Sequence, residues 1–362
     1  MSESTQISQP ILTDIPRFDY TAARTAQIDK PERIPTVNKV LFGLTALTTT
    51  MAGAYMAGGE LSLAHPVRAI AELFTGLKFS IPLMAILLFH EMGHYLTARR
   101  NDVRATLPYF IPAPFPSLFI IGTFGAFIRM KAPPRSRRVM FDVGAAGPWA
   151  GMLLAIPAVM IGLKLSQVGP LDQSGGGLEL GNSLLFYGLS RWILGVDPNS
   201  VMINLHPIAF AGWIGMFVTA LNLLPVGQLD GGHVTYALFG RKRHRQISTL
   251  FVISCFLMVA VSYVFKWSFW SGWVFWGVLL IFLGLGHPNT VDTDTELDPR
   301  RSFAAWATIV LFILTFMPVP LSFTPPSFGT PTQEQRQDGS GPTYDIHFQP
   351  EGRLPCQVLI KL

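Results

Sequence analysis

The chain is short of charge and of cysteine. Only 14% of its 362 residues are Asp, Glu, Lys or Arg, against about 25% in a soluble domain. That excludes a disordered chain and an ordinary cytosolic enzyme. Its two cysteines, Cys255 and Cys356, are too few and too far apart for a disulfide framework or a zinc knuckle. The apolar runs lack period-two alternation, which argues against a β-barrel. Internal repeats are missing as well. Residues 1–39 carry no signal-peptide pattern. They are polar and include Glu3, Asp14, Asp19, Asp29 and Glu32, acids that also argue against an organelle transit peptide. The first apolar run, near Val40, is expected to stay as an anchor.

What the chain has is hydrophobic residues, 49% of the total, in runs long enough for membrane helices. About 20 apolar residues cross a bilayer as a helix. Candidate spans fall at 40–57, 78–98, 139–164, 203–224, 247–265, 270–286 and 302–319. The stretch 107–130 is apolar but broken by Pro108, Pro112, Pro114 and Pro116 and holds Gly122 and Gly125, so a straight helix is disfavoured there. The expected fold class is an α-helical polytopic membrane protein with about six to seven transmembrane helices. A re-entrant or short β segment is expected between the second and third. By regions, the expectation is a cytoplasmic tail at 1–39, a first helix and outer loop at 40–77, a membrane core at 78–301, a last helix at 302–319 and a disordered tail at 320–362. The Gly-rich stretch 166–202 reads as a long loop.

The net charge of +5 reflects membrane topology rather than nucleic-acid binding, because cytoplasmic loops collect Lys and Arg. With the N-terminus inside and 107–130 returning to the side it left, most basic residues fall on the inner side. These include Arg99, Arg100, Arg129, Lys131, Arg137, Arg138, the cluster Arg241 to Arg245, Arg300 and Arg301. A bacterial inner membrane is favoured, with a plastid membrane as the other compartment.

Within the second span stands His90-Glu91-Met92-Gly93-His94. Two histidines four apart share one helix face and can reach one ion, with Glu91 beside them. Two imidazoles on Zn²⁺ with a carboxylate as base form the zinc-protease arrangement. Ionisable groups inside an apolar run are costly and point to function. A catalytic zinc takes a third protein ligand, and no third histidine follows closely. The candidate is Asp230 in NLLPVGQLDGGH, residues 222–233, the only other carboxylate deep in apolar surroundings. Its alternative role is a helix N-cap. His233 is a supporting or an interfacial residue.

HEMGH in one span and LDGG in a later one resemble the site-2 protease family (peptidase family M50), the intramembrane zinc metalloproteases. The likeness covers roughly residues 78–301 and extends to GTFGAFI at 122–128, FDVGAAGPWAG at 141–151, HPIAFAGW at 206–213 and the HP…LDPRR stretch at 287–301. It implies that His90, His94 and Asp230 hold Zn²⁺, that Glu91 is the base, and that Asn222 sits near the scissile peptide. The substrates it implies are transmembrane proteins, cleaved within the lipid bilayer. No segment is long enough for the PDZ domain of many relatives. The alternatives are a metal-binding membrane transporter and an inactive relative that binds membrane partners.

Other features have plainer readings. Gly144, Gly147 and Gly151 are small residues for close helix packing. Asp142 reads as a cap or the partner of an Arg. Residues 241–245 read as a topology anchor or a contact with anionic lipid. His206 and His287 read as interfacial, and Trp267, Trp270, Trp273 and Trp276 as an interfacial belt.

Overall fold

A computed structural model describes residues 34–62, 64–114, 120–170, 177–265, 270–288, 290–292, 295–324 and 358–360. Pro116, Trp267, Cys356 and nearly all of the 1–39 segment lie outside them, as does most of 320–362. The chain divides into two units, Met1–Pro35 and Thr36–Leu362. Every element described below belongs to the second.

The protein is mostly helical. Helix α1 is Thr36–Met56 and α2 is Pro66–Arg100. The expected span at 78–98 is therefore only the apolar part of a longer helix. Pro66 in the first turn supplies a helical φ, and nothing between Ala69 and Lys78 breaks the helix, so hydropathy alone misplaced its start. Arg99 and Arg100 close the last turn, where cations meet the negative end of the helix dipole. Strands β1, Tyr109–Pro112, and β2, Thr123–Phe127, pair antiparallel in a two-stranded sheet with a register shift between Phe110 and Pro112. They occupy the segment whose prolines argued against a helix.

Helix α3, Arg137–Lys164, is capped by the Ser136 side chain, which accepts from the Val139 N–H. It is the central helix of the fold. It packs against α2, against α4 (Leu184–Leu194), α5 (Pro207–Asn222), α6 (Asp230–Phe265) and α8 (Pro299–Thr315). Phe79, Leu83 and Ile86 of α2, Met152, Ala155 and Val159 of α3, and Phe210, Trp213 and Ile214 of α5 form the main buried core. Helix α6 is bent at Gly240, whose φ of 75° leaves the helical region. Arg137 donates to the carbonyls of Ala237 and Leu238, at 3.0 and 3.1 Å, just before the bend. Helix α7 is Gly272–Leu283.

Helices α2, α3 and α6 are long and apolar enough to cross a membrane. Helices α4, α5 and α7 are shorter apolar helices. These lengths and compositions suit an integral membrane protein.

The stretch 166–202 is not a plain loop. It contains strands β3 (Gln167–Gly169), β4 (Gly177–Leu180) and β5 (Met202–Asn204), with α4 between Ser183 as its cap and Gly195 at φ 69°. Its glycines concealed an apolar helix, LLFYGLSRWIL, that has its own cap and terminator. The region 320–362 supplies β6 (Leu321–Thr324) and β7 (Val358–Ile360) to the same five-stranded sheet, ordered β3-β5-β7-β4-β6. Short apolar segments there find partners in β4 and β5, which composition did not reveal.

Candidate metal centre

The ligand candidates stand on α2 and at the start of α6. His90 and His94 lie one turn apart near the C-terminal end of α2, 4% and 7% exposed. Asp230 is the first residue of α6. It follows a tight connection from Asn222 at the end of α5, turned through Pro225 and Gly227. Gly231 packs against the Leu223 carbonyl without room for a side chain, which draws the start of α6 back against the end of α5.

The Asp230 Oδ2 atom lies 3.3 Å from His90 Nε2 and 3.2 Å from His94 Nε2. The two Nε2 atoms are 3.2 Å apart. Two ligands on a tetrahedral zinc, each about 2.0–2.1 Å from the ion, stand about 3.3 Å from each other. The triangle fits that cation. His94 Nδ1 donates to the Val143 carbonyl at 2.7 Å, so neutral His94 presents a bare Nε2 lone pair toward the carboxylate. Two acceptor atoms at that separation need a cation or a proton between them. Both roles weighed for Asp230 place it at the helix start, and its side chain is committed to the histidines.

Two further side chains and a cavity complete the site. Glu91 is 6% exposed and receives the backbone N–H of Ile128. The Asn222 Nδ2 atom lies 3.2 Å from His90 Nε2. A cavity of about 410 Å³ opens on all of these and on His233, Gln228 and residues 126–130 beside β2.

Helix α3 supplies the floor through its glycines. A Cβ on Gly147 would overlap His94 Nε2, one on Gly151 would stand 3.2 Å from His90 Nδ1, and one on Gly144 would stand 2.6 Å from the His233 Cβ. The three glycines therefore admit the three imidazoles as well as letting helices approach. Asp142 meets Arg301, with both guanidinium–carboxylate contacts at 2.8 Å. His206 caps α5 by accepting from the Ile208 N–H. Sequence reading missed the Val143 carbonyl, which has no side-chain signal. It also missed His287, which meets His233 across 54 residues.

Comparison with known proteins gives the family. The Peptidase family M50 model matches residues 78–265. The chain belongs to this family. Curated relatives include a "Probable zinc metalloprotease EGY2, chloroplastic" of Oryza sativa subsp. indica. It is 30% identical over 246 residues, covering 67% of this chain and 42% of that protein. A "Probable zinc metalloprotease EGY1, chloroplastic" of Arabidopsis thaliana is 32% identical over 257 residues, covering 67% of this chain and 43% of its own. The chain thus spans less than half the length of these relatives. No solved structure matches it.

Proposed function

We propose that this M50 chain is an intramembrane zinc endopeptidase that hydrolyses peptide bonds in or near transmembrane segments of membrane proteins. The observation that carries this reading is the His90–His94–Asp230 triangle with Glu91 at its side. Zn²⁺ held there would supply Lewis acidity to the scissile carbonyl and to water. Glu91 takes a proton from the attacking water and returns it to the departing amine. The Asn222 amide would donate to the carbonyl oxygen as charge develops. The zinc in the names of the relatives supports the metal.

A helical substrate hides its carbonyls, so it must unwind before attack. β2 pairs with β1 and with no other strand among the described residues, and an extended peptide would add along its other edge. This supports the re-entrant reading of 107–130. The count of six to seven spans rests on α1, α5, α7 and α8 joining the three long helices in the bilayer. The core at 78–301 and the flanking regions follow the same division. Orientation, with the metal end toward the cytoplasm, rests on the basic residues at that end. The chloroplast names of the relatives favour a plastid membrane. Transmembrane proteins and lipid are the partners; no nucleic-acid role is proposed.

The deciding experiment pairs metal analysis with cleavage of a transmembrane substrate in liposomes. Wild type should hold one zinc and cut. Glu91→Gln should hold zinc and not cut, while His94→Ala and Asp230→Ala should lose both. Full zinc in both ligand variants would overturn the assignment.

A further inference from the structure

The cavity contains a third imidazole that the reaction above leaves unused. His233 lies one turn beyond Asp230 on α6, lines the same cavity and rests on Gly144. Its Nδ1 is 2.7 Å from Nε2 of His287. The Nδ1 of His287 is in turn 2.6 Å from the Pro288 carbonyl oxygen. A carbonyl only accepts, so His287 Nδ1 carries a proton. His287 is 4% exposed, stacked on Tyr236 at 4.4 Å between ring centroids and set edge-on to His244. Burial holds its pKa below the ordinary histidine value, so the ring keeps one proton and its Nε2 is a lone pair. His233 must then donate through Nδ1. A neutral His233 has no second proton, and its Nε2 is an acceptor. Among the described residues that atom has no hydrogen-bond partner.

An unwound peptide entering this cavity brings backbone N–H groups that have lost their helical acceptors. Each one left unpaired in an apolar setting keeps its full desolvation cost. Strand pairing with β2 satisfies only the groups on one side of an extended chain. The Asp230 carboxylate and the His90 and His94 Nε2 atoms are turned on one another. We propose that His233 Nε2 receives a backbone N–H of the unwound substrate, and that His287 with the Pro288 carbonyl is the positioning device that fixes this tautomer. The proposal rests on the endopeptidase reading and adds a substrate-binding residue to it.

The test uses the full zinc-loaded protein. Nitrogen-15 NMR of labelled histidines, assigned by loss of one signal set in His233→Phe, should show His233 protonated at Nδ1 and bare at Nε2. His233→Phe should raise KM about tenfold, the loss of one hydrogen bond, with zinc content unchanged and kcat changed less. His287→Leu should reproduce that rise. His287→Gln, whose amide oxygen accepts the same N–H, should recover most of the loss. Replacing substrate N–H groups one at a time by ester oxygen should find one position that penalises wild type and not His233→Phe. A His233 ring protonated at Nε2, or an unchanged KM in His287→Leu, overturns the proposal. Cleavage by Glu91→Gln would instead sink the endopeptidase reading and leave the tautomer result standing.

Discussion

Gly147 of α3 lies so close to His94 of α2 that a Cβ on Gly147 would overlap the imidazole Nε2 atom. The nitrogen proposed to face the metal is thus confined from beneath, and the Val143 carbonyl lies 2.7 Å from the other ring nitrogen. Ligand orientation is set by the neighbouring helix, and such support commonly matters 10–100-fold, in order of magnitude, to metal affinity.

Gly147→Ala is therefore expected to weaken zinc binding by roughly 10–100-fold and to abolish cleavage, while helicity by circular dichroism stays unchanged. Gly151→Ala faces His90 Nδ1 at 3.2 Å and should have the milder effect. Equal zinc affinity in Gly147→Ala and wild type would contradict this packing.

Stripping the metal should destabilise the fold. At a thousand times its dissociation constant a native-state ligand contributes about 4 kcal/mol. A strong chelator is expected to lower the thermal midpoint, and zinc but not magnesium to restore it. Asp230→Ala should be insensitive to both treatments. A midpoint shift of equal size in that variant would show the chelator acting elsewhere.

Arg301 ties the start of α8 to Asp142 of α3 and also meets Asp298 at 2.6 Å. Arg301→Lys keeps the charge and loses the two-pronged contact. With the guanidinium 38% exposed, the loss should be about 1 kcal/mol, read by denaturant unfolding in detergent. The Arg301 hydrogen bond also holds the Asp298 carboxyl below its usual pKa. A lowered carboxylate pKa stabilises above the unfolded value and is lost as pH falls through the folded one. The Arg301→Lys difference should therefore shrink only below about pH 4, the ordinary Asp range. A difference that vanished at neutral pH would count against the pairing.

Ala126 lies in β2 opposite Phe110. Ala126→Pro removes a strand N–H. If the strand edge receives substrate, this variant should keep its zinc and lose most cleavage of intact transmembrane substrates. Short unstructured peptides should still be cut, because they pay less for unwinding. Parallel loss on both substrates would point to general damage instead.

Much of the site could be read in order along the chain. His90, Glu91 and His94 are neighbours on one helix, and local periodicity alone puts the two imidazoles on one face. Asp230 was legible because a lone carboxylate among apolar residues is expensive, and because Pro225, Gly227, Gly231 and Gly232 announce a tight bend. Helix limits were less legible. Hydropathy marks where a helix is apolar, not where its hydrogen bonds begin, so α2 starts at Pro66 and α6 runs through the basic cluster. The glycines of 166–202 likewise obscured α4.

The sequence by itself determined the membrane class, the one-turn spacing of His90 and His94, and the lone Asp230 proposed to join them, because composition and spacing along one helix are local quantities. Only the tertiary structure decided that Gly144, Gly147 and Gly151 each face a different imidazole, and that a backbone carbonyl orients His94. It also joined His233 to His287. Those relationships depend on the crossing of separate helices. Packing of whole surfaces sets such crossings, and no residue spacing encodes them.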